Sequence, residues 1–461
     1  MFIPKKVLLT IALALVASSA PALAGDAAPC PAQPRTLLLS LDGVSYRTVE
    51  LAREQGAFAN WPATLRLVAP FPSMTNVAFT AIFQPFGVEP IRGYEMRYFD
   101  PDLNKIVGGG PIGYKKKAFA WKKLYDVISH TNLEKAAAFT SPRKNVRTVL
   151  ERTERLVLES DDELILSHIE STDVLAHFRG DEPVVEIVIE VAAWADDLIR
   201  RHEESIGCPL EVVLFSDHGN TKAKVKNISG VHHRLRSGGL QVVDYLRDPG
   251  DVVAPTYGVV SFGVLYTDPE HSEQAARIIA GHPAVELAAW IAAPREMRVL
   301  ADSAEARVEW RDGPEGRRFR YVPTDGDPLR LATVTAGLSS DGCLDDEGFA
   351  SEDAWFDESI LAYYPDVLRR LVDSLTGTFV SNPATVIFSL DPDTAWGRKP
   401  AQAAAQLMGG DLEGSHGALD GISSMGFFLT TDPTVGAGRT AVAASEALLP
   451  WAPRTPTPTK Q

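Results

Sequence analysis

Three apolar runs each end in a carboxylate, and this repeated device constrains the fold more than any other feature of the chain. Residues 36–41 (TLLLSL) lead into Asp42-Gly43, residues 163–169 (ELILSHI) into Glu170-Ser-Thr-Asp173, and residues 210–216 (LEVVLFS) into Asp217-His218-Gly219. Near-continuous apolar runs need cover on both faces, which is the pattern of buried strands in a mainly parallel sheet. Helix-like stretches such as 184–205 separate them, as parallel crossovers require. Open sheets of this kind bind ligands outside the carboxyl ends of their strands. Asp42, Asp173 and Asp217 are therefore expected at one edge.

With 461 residues, 45% of them hydrophobic and 23% charged, the chain can bury a large core with an insertion or fold as two unequal domains. From residue 257 the texture changes. A strand-like 259–266, a helix-like 270–280, a strand near 285–291 and alternating stretches around Val308 and 319–322 follow, none ending in a metal-type ligand. We expect an α/β fold, with a mainly parallel central sheet flanked by helices over 34–250 and 336–449. A smaller inserted α+β subdomain over 251–335 is expected to cover the site. Helical periodicity returns over 355–376, a late strand is expected at 385–390, and the Pro-Thr-rich segment 450–461 reads as a disordered tail.

Lys5 and Lys6, an apolar run over 7–16 and the small-residue end Ala22-Leu23-Ala24 read as a secretory signal over 1–24. The run is too short for a comfortable membrane span, so we expect no stable anchor after cleavage and a secreted or periplasmic protein. Cys30 lacks the small-residue box of a lipid-modified cysteine. Cys30, Cys208 and Cys343 allow at most one intramolecular disulfide, and their spacing is not that of a zinc cluster. The net charge of -15, which becomes -17 when Lys5 and Lys6 leave with the signal, argues against binding a nucleic-acid backbone. Bound divalent cations would offset part of that acidity.

Asp173 and His177 in STDVLAH fall on one face of a helical turn, a beginning for a metal site, although such a pair also serves as a plain polar pair. Asp217-His218-Gly219 is more specific, because adjacent Asp and His directly after a buried strand are unusual. Asp42-Gly43 repeats the arrangement but is also a common turn. His416 sits between small residues in Gly414-Ser415-His416-Gly417, where the chain can approach an ion or simply form a loop. His232-His233 is a rival metal pair. Thr75 follows the turn Pro72-Ser73 at or near the N-cap of a helix expected over 76–83. A hydroxyl there lies beside free N–H groups that favour anions, and a metal would lower its pKa. Without the metal candidates it would read as a simple cap.

Taken together, LLLSLDG, PSMTN, ESTDVLAH, FSDHG and GSHGALDGISSMGFFL, in this order between Leu37 and Leu429, resemble the alkaline phosphatase superfamily. The resemblance is to its nucleotide pyrophosphatase/phosphodiesterase branch, with phosphonoacetate hydrolase as a near relative. It implies a two-metal hydrolase acting on small-molecule phosphate or phosphonate esters. By it, Thr75 is the nucleophile of a covalent intermediate, one divalent metal is held by Asp173, His177 and His416, and the other by Asp42, Asp217, His218 and Thr75. Both metals are expected to be zinc, which accepts His and carboxylate ligands. Asn76, and the region of Gly93-Tyr94, are expected to donate to the transferred group. The phosphodiesterase branch follows its threonine with Phe-Pro-Asn, whereas Asn76-Val77-Ala78 stands here and Thr-Asn is similar to the phosphonoacetate branch. A threonine at this position argues against a sulfatase, and the signal segment argues against a phosphoglycerate mutase. A phosphomonoesterase or phosphotransferase would use the same site. A secreted binding protein that keeps the fold without catalysis is the alternative of another class.

Overall fold

The computed structural model describes residues 30, 34–109, 119–129, 134, 137–138, 140–221, 224–256, 258–397 and 412–453. The expected signal, 1–24, lies outside the described residues, as does 454–461 of the expected tail. Among the described residues no helix is long and apolar enough to cross a membrane.

The three carboxylate-ended runs form neighbouring strands. The first sheet comprises β1 (Arg35–Leu41), β2 (Leu65–Val68), β3 (Leu164–Ile169), β4 (Leu210–Phe215), β5 (Met425–Thr430) and β6 (Ala441–Ala443), in the order β6-β2-β5-β4-β1-β3. β1 pairs in parallel with β3 and β4, and β2 with β6, while β5 runs antiparallel to both β4 and β2. The sheet is thus mainly parallel with one reversed strand. Ser40 lies opposite His168 and Phe215, so the three runs end level. The reversed β5 starts where they stop, which delivers the loop carrying His416 to the same edge. β2 also ends there and leads through 69–74 to Thr75.

Six helices frame or support the site: α1 (Tyr46–Glu54), α2 (Thr75–Ile82), α3 (Pro142–Glu159), α4 (Ser171–Arg179), α5 (Glu182–Ile206) and α6 (Val367–Thr376). Alternate residues of β1 serve opposite faces, as the pleat dictates. Leu37, Leu39 and Leu41 pack with α1, α3 and α5, whereas Leu38 joins Val213, Phe215 and Phe79 on the other face. α5 buries Val184, Ile187, Val188, Val191, Ala195 and Leu198 at helical spacing, carries Pro183 in its first turn and stops at Gly207 in the left-handed conformation. Each fully buried aliphatic side chain there contributes at most about 1.5–3 kcal/mol.

A second sheet of nine strands runs from Gln241–Val242 to Ala350–Ser351 and Val386–Leu390. Its centre is a meander of Val285–Ala293, Glu296–Ala301, Ala304–Gly313 and Gly316–Asp325, paired antiparallel. The late strand expected at 385–390 lies in this sheet, between Phe262–Thr267 and Val285–Ala293. The second sheet therefore exceeds the first in strand number and draws on residues beyond 251–335. Pairing between strands so distant in sequence leaves no local signal. The helical stretch expected over 355–376 is broken into Glu352–Ser359 and α6, with Asp366 at φ 50° between them. Pro365 stands in the connection, where it disfavours helical conformation at Tyr364 and so opposes a continuous helix. Cys30 and Cys208 form a disulfide with Cα atoms 5.5 Å apart, and Cys343 is free and exposed.

Candidate metal centre

Each candidate ligand is placed by the end of a strand or the start of a helix at this one edge. Asp42 follows β1, and Gly43 turns away at φ 65° with its N–H donated to Asp217 Oδ1 at 3.1 Å. A Cβ at position 43 would stand 2.4 Å from Asp173 Oδ1, so glycine is what lets the three carboxylates converge. Asp173 lies in the first turn of α4 and His177 one turn on, with Nε2 3.4 Å from Asp173 Oδ2. Asp217 and His218 follow β4, both fully buried. Thr75 is the first residue of α2, after Met74 as the N-cap, and no side chain caps the helix. The Thr75 hydroxyl instead faces inward, 3.2 Å from His218 Nε2 and 3.4 Å from Asp42 Oδ1.

The hydrogen bonds of three imidazoles decide what this cluster is built for. Nδ1 of His177 bonds Gly414 O at 2.8 Å, Nδ1 of His218 bonds Gly219 O at 2.7 Å, and Nδ1 of His416 bonds Ser73 O at 2.9 Å. A carbonyl only accepts, so each Nδ1 carries a proton. In the neutral rings each Nε2 is then a bare lone pair. Those lone pairs face carboxylate oxygens: His218 at 3.2 Å from Asp217 Oδ2, His177 at 3.4 Å from Asp173 Oδ2, and His416 at 3.9 Å from Asp173 Oδ1. Lone pairs directed at carboxylates repel unless a cation lies between them, and a backbone carbonyl on the other ring nitrogen is the usual way to orient a metal-binding histidine. Asp217 Oδ2, buried and without a hydrogen-bond donor, fits the same reading.

No family model matches the chain. No curated protein matches it either. Among solved structures it is similar to human ectonucleotide pyrophosphatase/phosphodiesterase 5, at TM-score 0.46 and 12% identity, over 90% of this chain and 93% of that one. The murine protein of the same name gives TM-score 0.46 and 11% identity over 92% and 97%. An inactive variant of the murine protein in complex with AMP gives 0.46 and 10% over 91% and 94%.

The electrostatics of the cluster divide it in two. Burial drives the Asp42 carboxyl well above its ordinary pKa, and Asp217 and Asp173 add to the rise. Asp217 is pushed up to about 6, again by burial first. Asp173 is only partly buried, and His177, His416 and His218 together outweigh the loss of solvent and hold it below the usual carboxylate range. Burial lowers His218, and takes His416 down to about 3 with help from His218. Burial also opposes charge on His177, but Asp173 raises it. Three carboxylates crowded away from water are costly, and divalent charge is the natural compensation.

The seven expected ligand residues lie together at this edge. Asp173, His218 and His416 place ligand atoms within 4.8 Å of one another, as do Asp42, Asp217 and His218. His218 thus stands between the two groups, and His177 joins the first through Asp173. Asn76 occupies the second position of α2, partly buried. In the Gly93-Tyr94 region the Tyr94 side chain is buried and its hydroxyl already engaged, donating to Ser374 O at 2.8 Å and accepting from Ala384 N at 3.0 Å. Among the described residues His232 and His233 belong to no such ligand group; His232 packs edge-on against Trp396. Sequence reading missed His168, Ser40 and Tyr125 beside Asp42. Inside the run LILSHI, His168 carries no local signal beyond being a polar residue in an apolar strand.

Proposed function

We propose that the chain is a secreted, metal-dependent hydrolase of phosphate esters that transfers the phosphoryl group first to Thr75 and then to water. The observation that carries this reading is the convergence of three Nε2 lone pairs on the carboxylates of Asp173 and Asp217, with Asp42 Oδ1 3.8 Å from His218 Nε2, beside the Thr75 hydroxyl. Asp173, His177 and His416 would hold one divalent cation, and Asp42, Asp217, His218 and Thr75 the other, with zinc favoured by the donor set. When bound, such a pair lowers the hydroxyl pKa and neutralises charge on the transferred group.

The protein's own residues then define two displacements. The Thr75 oxygen forms the bond to phosphorus as the ester oxygen opposite it departs, and the protons lost and gained exchange with solvent. The free N–H groups at the start of α2 and the amide of Asn76 receive non-bridging oxygens. Water next attacks the phosphothreonine, restoring the Thr75 hydroxyl and releasing the phosphate product. Thr75→Ala should lower turnover of bis-p-nitrophenyl phosphate and p-nitrophenyl phosphate by roughly a thousandfold or more with metal content retained. Wild-type turnover in that variant would sink the mechanism. Hydrolysis of a phosphonate is the second reading, favoured by Asn76 directly after Thr75: there the carbon–phosphorus bond breaks as the Thr75 oxygen bonds phosphorus, and the leaving carbon takes a proton from solvent. Release of inorganic phosphate from phosphonoacetate, compared with the two nitrophenyl esters, decides between them.

A further inference from the structure

We propose that His168 is a positioning residue whose Nε2–H fixes the carboxylate of Asp42. The inference rests on the reading of Asp42 as a cation ligand. His168, in β3, has a side chain with no solvent exposure. It differs from the other three histidines of the site in what its nitrogens meet. Nδ1 lies 2.8 Å from Ser40 Oγ, which lies 2.7 Å from the Tyr125 hydroxyl. Nε2 is buried without a hydrogen-bond partner and stands 3.6 Å from Asp42 Oδ2.

These contacts assign the protons. A lone pair on Nε2 would repel Asp42, so Nε2 carries the hydrogen and Nδ1 accepts from Ser40. Ser40 in turn accepts from Tyr125, which gives a continuous run of donors from Tyr125 through Ser40 and His168 to Asp42. At 3.6 Å the last link is longer than a hydrogen bond, and a shift of the carboxylate by well under 1 Å closes it. A buried N–H with one carboxylate in reach has no better partner.

The imidazole is also locked in direction. Phe79 meets it edge-on at 5.1 Å and Trp121 at 5.9 Å, with Tyr125 tilted against it at 5.2 Å. Phe79 lies one helical turn after Thr75 on α2, so the same ring contacts tie the orientation of Asp42 to the helix that presents the hydroxyl. A donor held so firmly selects one carboxylate oxygen and leaves the other for the ion. Second partners of this kind are commonly worth about 10- to 100-fold in metal affinity.

The test is a zinc titration of the full chain against a chromogenic chelator, on wild type and on His168→Phe, His168→Gln, Tyr125→Phe and Asp42→Asn. We expect His168→Phe to weaken one of two bound ions by about 10- to 100-fold and leave the other unchanged. His168→Gln, which restores an N–H near the Nε2 position, should recover most of the loss, and Tyr125→Phe should show a smaller one. Should His168→Phe fail to fold, the Gln variant carries the test, with the 15N shifts of His168 in wild type reporting which nitrogen is protonated. Unchanged affinity for both ions in His168→Phe, equal weakening of both, or a proton on Nδ1 would overturn the proposal. If Asp42→Asn also binds both ions as wild type does, the reading of Asp42 as a ligand fails; if only Asp42→Asn loses an ion, the positioning role alone fails.

Discussion

Gly43 shows how narrowly single residues set this site. Its backbone sits at φ 65°, its N–H holds Asp217, and the space a Cβ would need is taken by Asp173 Oδ1. Gly43→Ala should destabilise the fold by about 1–2 kcal/mol through backbone conformation alone. The displaced Asp173 should in addition weaken cation binding, and urea unfolding together with metal titration separates the two effects. An alanine variant with unchanged metal affinity would contradict the close approach of Asp173 to position 43. The one-turn spacing of Asp173 and His177 was legible in the sequence, because helix geometry fixes it. The carbonyl partners of the three Nδ1 atoms were not, since Gly414 and Ser73 reach His177 and His416 only through the folded chain.

Among the elements, α6 joins the loops that carry the chemistry. Arg370 is buried on it. One of its terminal nitrogens, Nη1, donates to Pro365 O at 3.0 Å and Leu419 O at 2.9 Å, and Nη2 donates to Ser73 Oγ at 3.2 Å and to Ser424 Oγ. It thereby ties the turn before Thr75 to the segment after His416. Burial lowers its guanidinium to about 10, opposed by Asp366 and Asp420. Arg370→Met would leave the Pro365 carbonyl without its side-chain donor, at about 1–3 kcal/mol, and would leave the Leu419 carbonyl only the Ser424 hydroxyl at 3.1 Å. We expect a lower Tm and a kcat that falls more than KM rises, with Arg370→Lys only partly restoring either because the fork geometry is lost. An unchanged Tm and kcat in Arg370→Met would remove this role. The carboxylate-ended strands were legible because a strand buried on both faces shows it in its own composition. The partnership of 386–390 with 262–267 was not, because pairing is written in no single segment.

Across the whole molecule, the second sheet helps to build the site. The N–H of Ser261 donates to His416 O at 2.9 Å, and the Ser261 hydroxyl, which donates to Thr394 O at 2.6 Å, lies 3.1 Å from Ser415 Oγ, so the loop bearing His416 is held from the entry to Phe262–Thr267. Phe262 stands where a Cβ on Gly417 would come within 3.0 Å, which keeps that loop close. Apolar residues of both sheets, among them Leu38, Phe215, Leu287 and Val299, belong to one continuous core, as expected of a site assembled from both. The disulfide fixes Cys30 to the segment between α5 and β4, away from this junction. The central claim is that Thr75 becomes covalently modified while a phosphate ester is hydrolysed. Acid quenching during turnover of bis-p-nitrophenyl phosphate, followed by peptide mapping, tests it directly. The account predicts a phosphate adduct on the Thr75 residue itself, absent from Thr75→Ala; an adduct on another residue, or turnover with none at all, would contradict it.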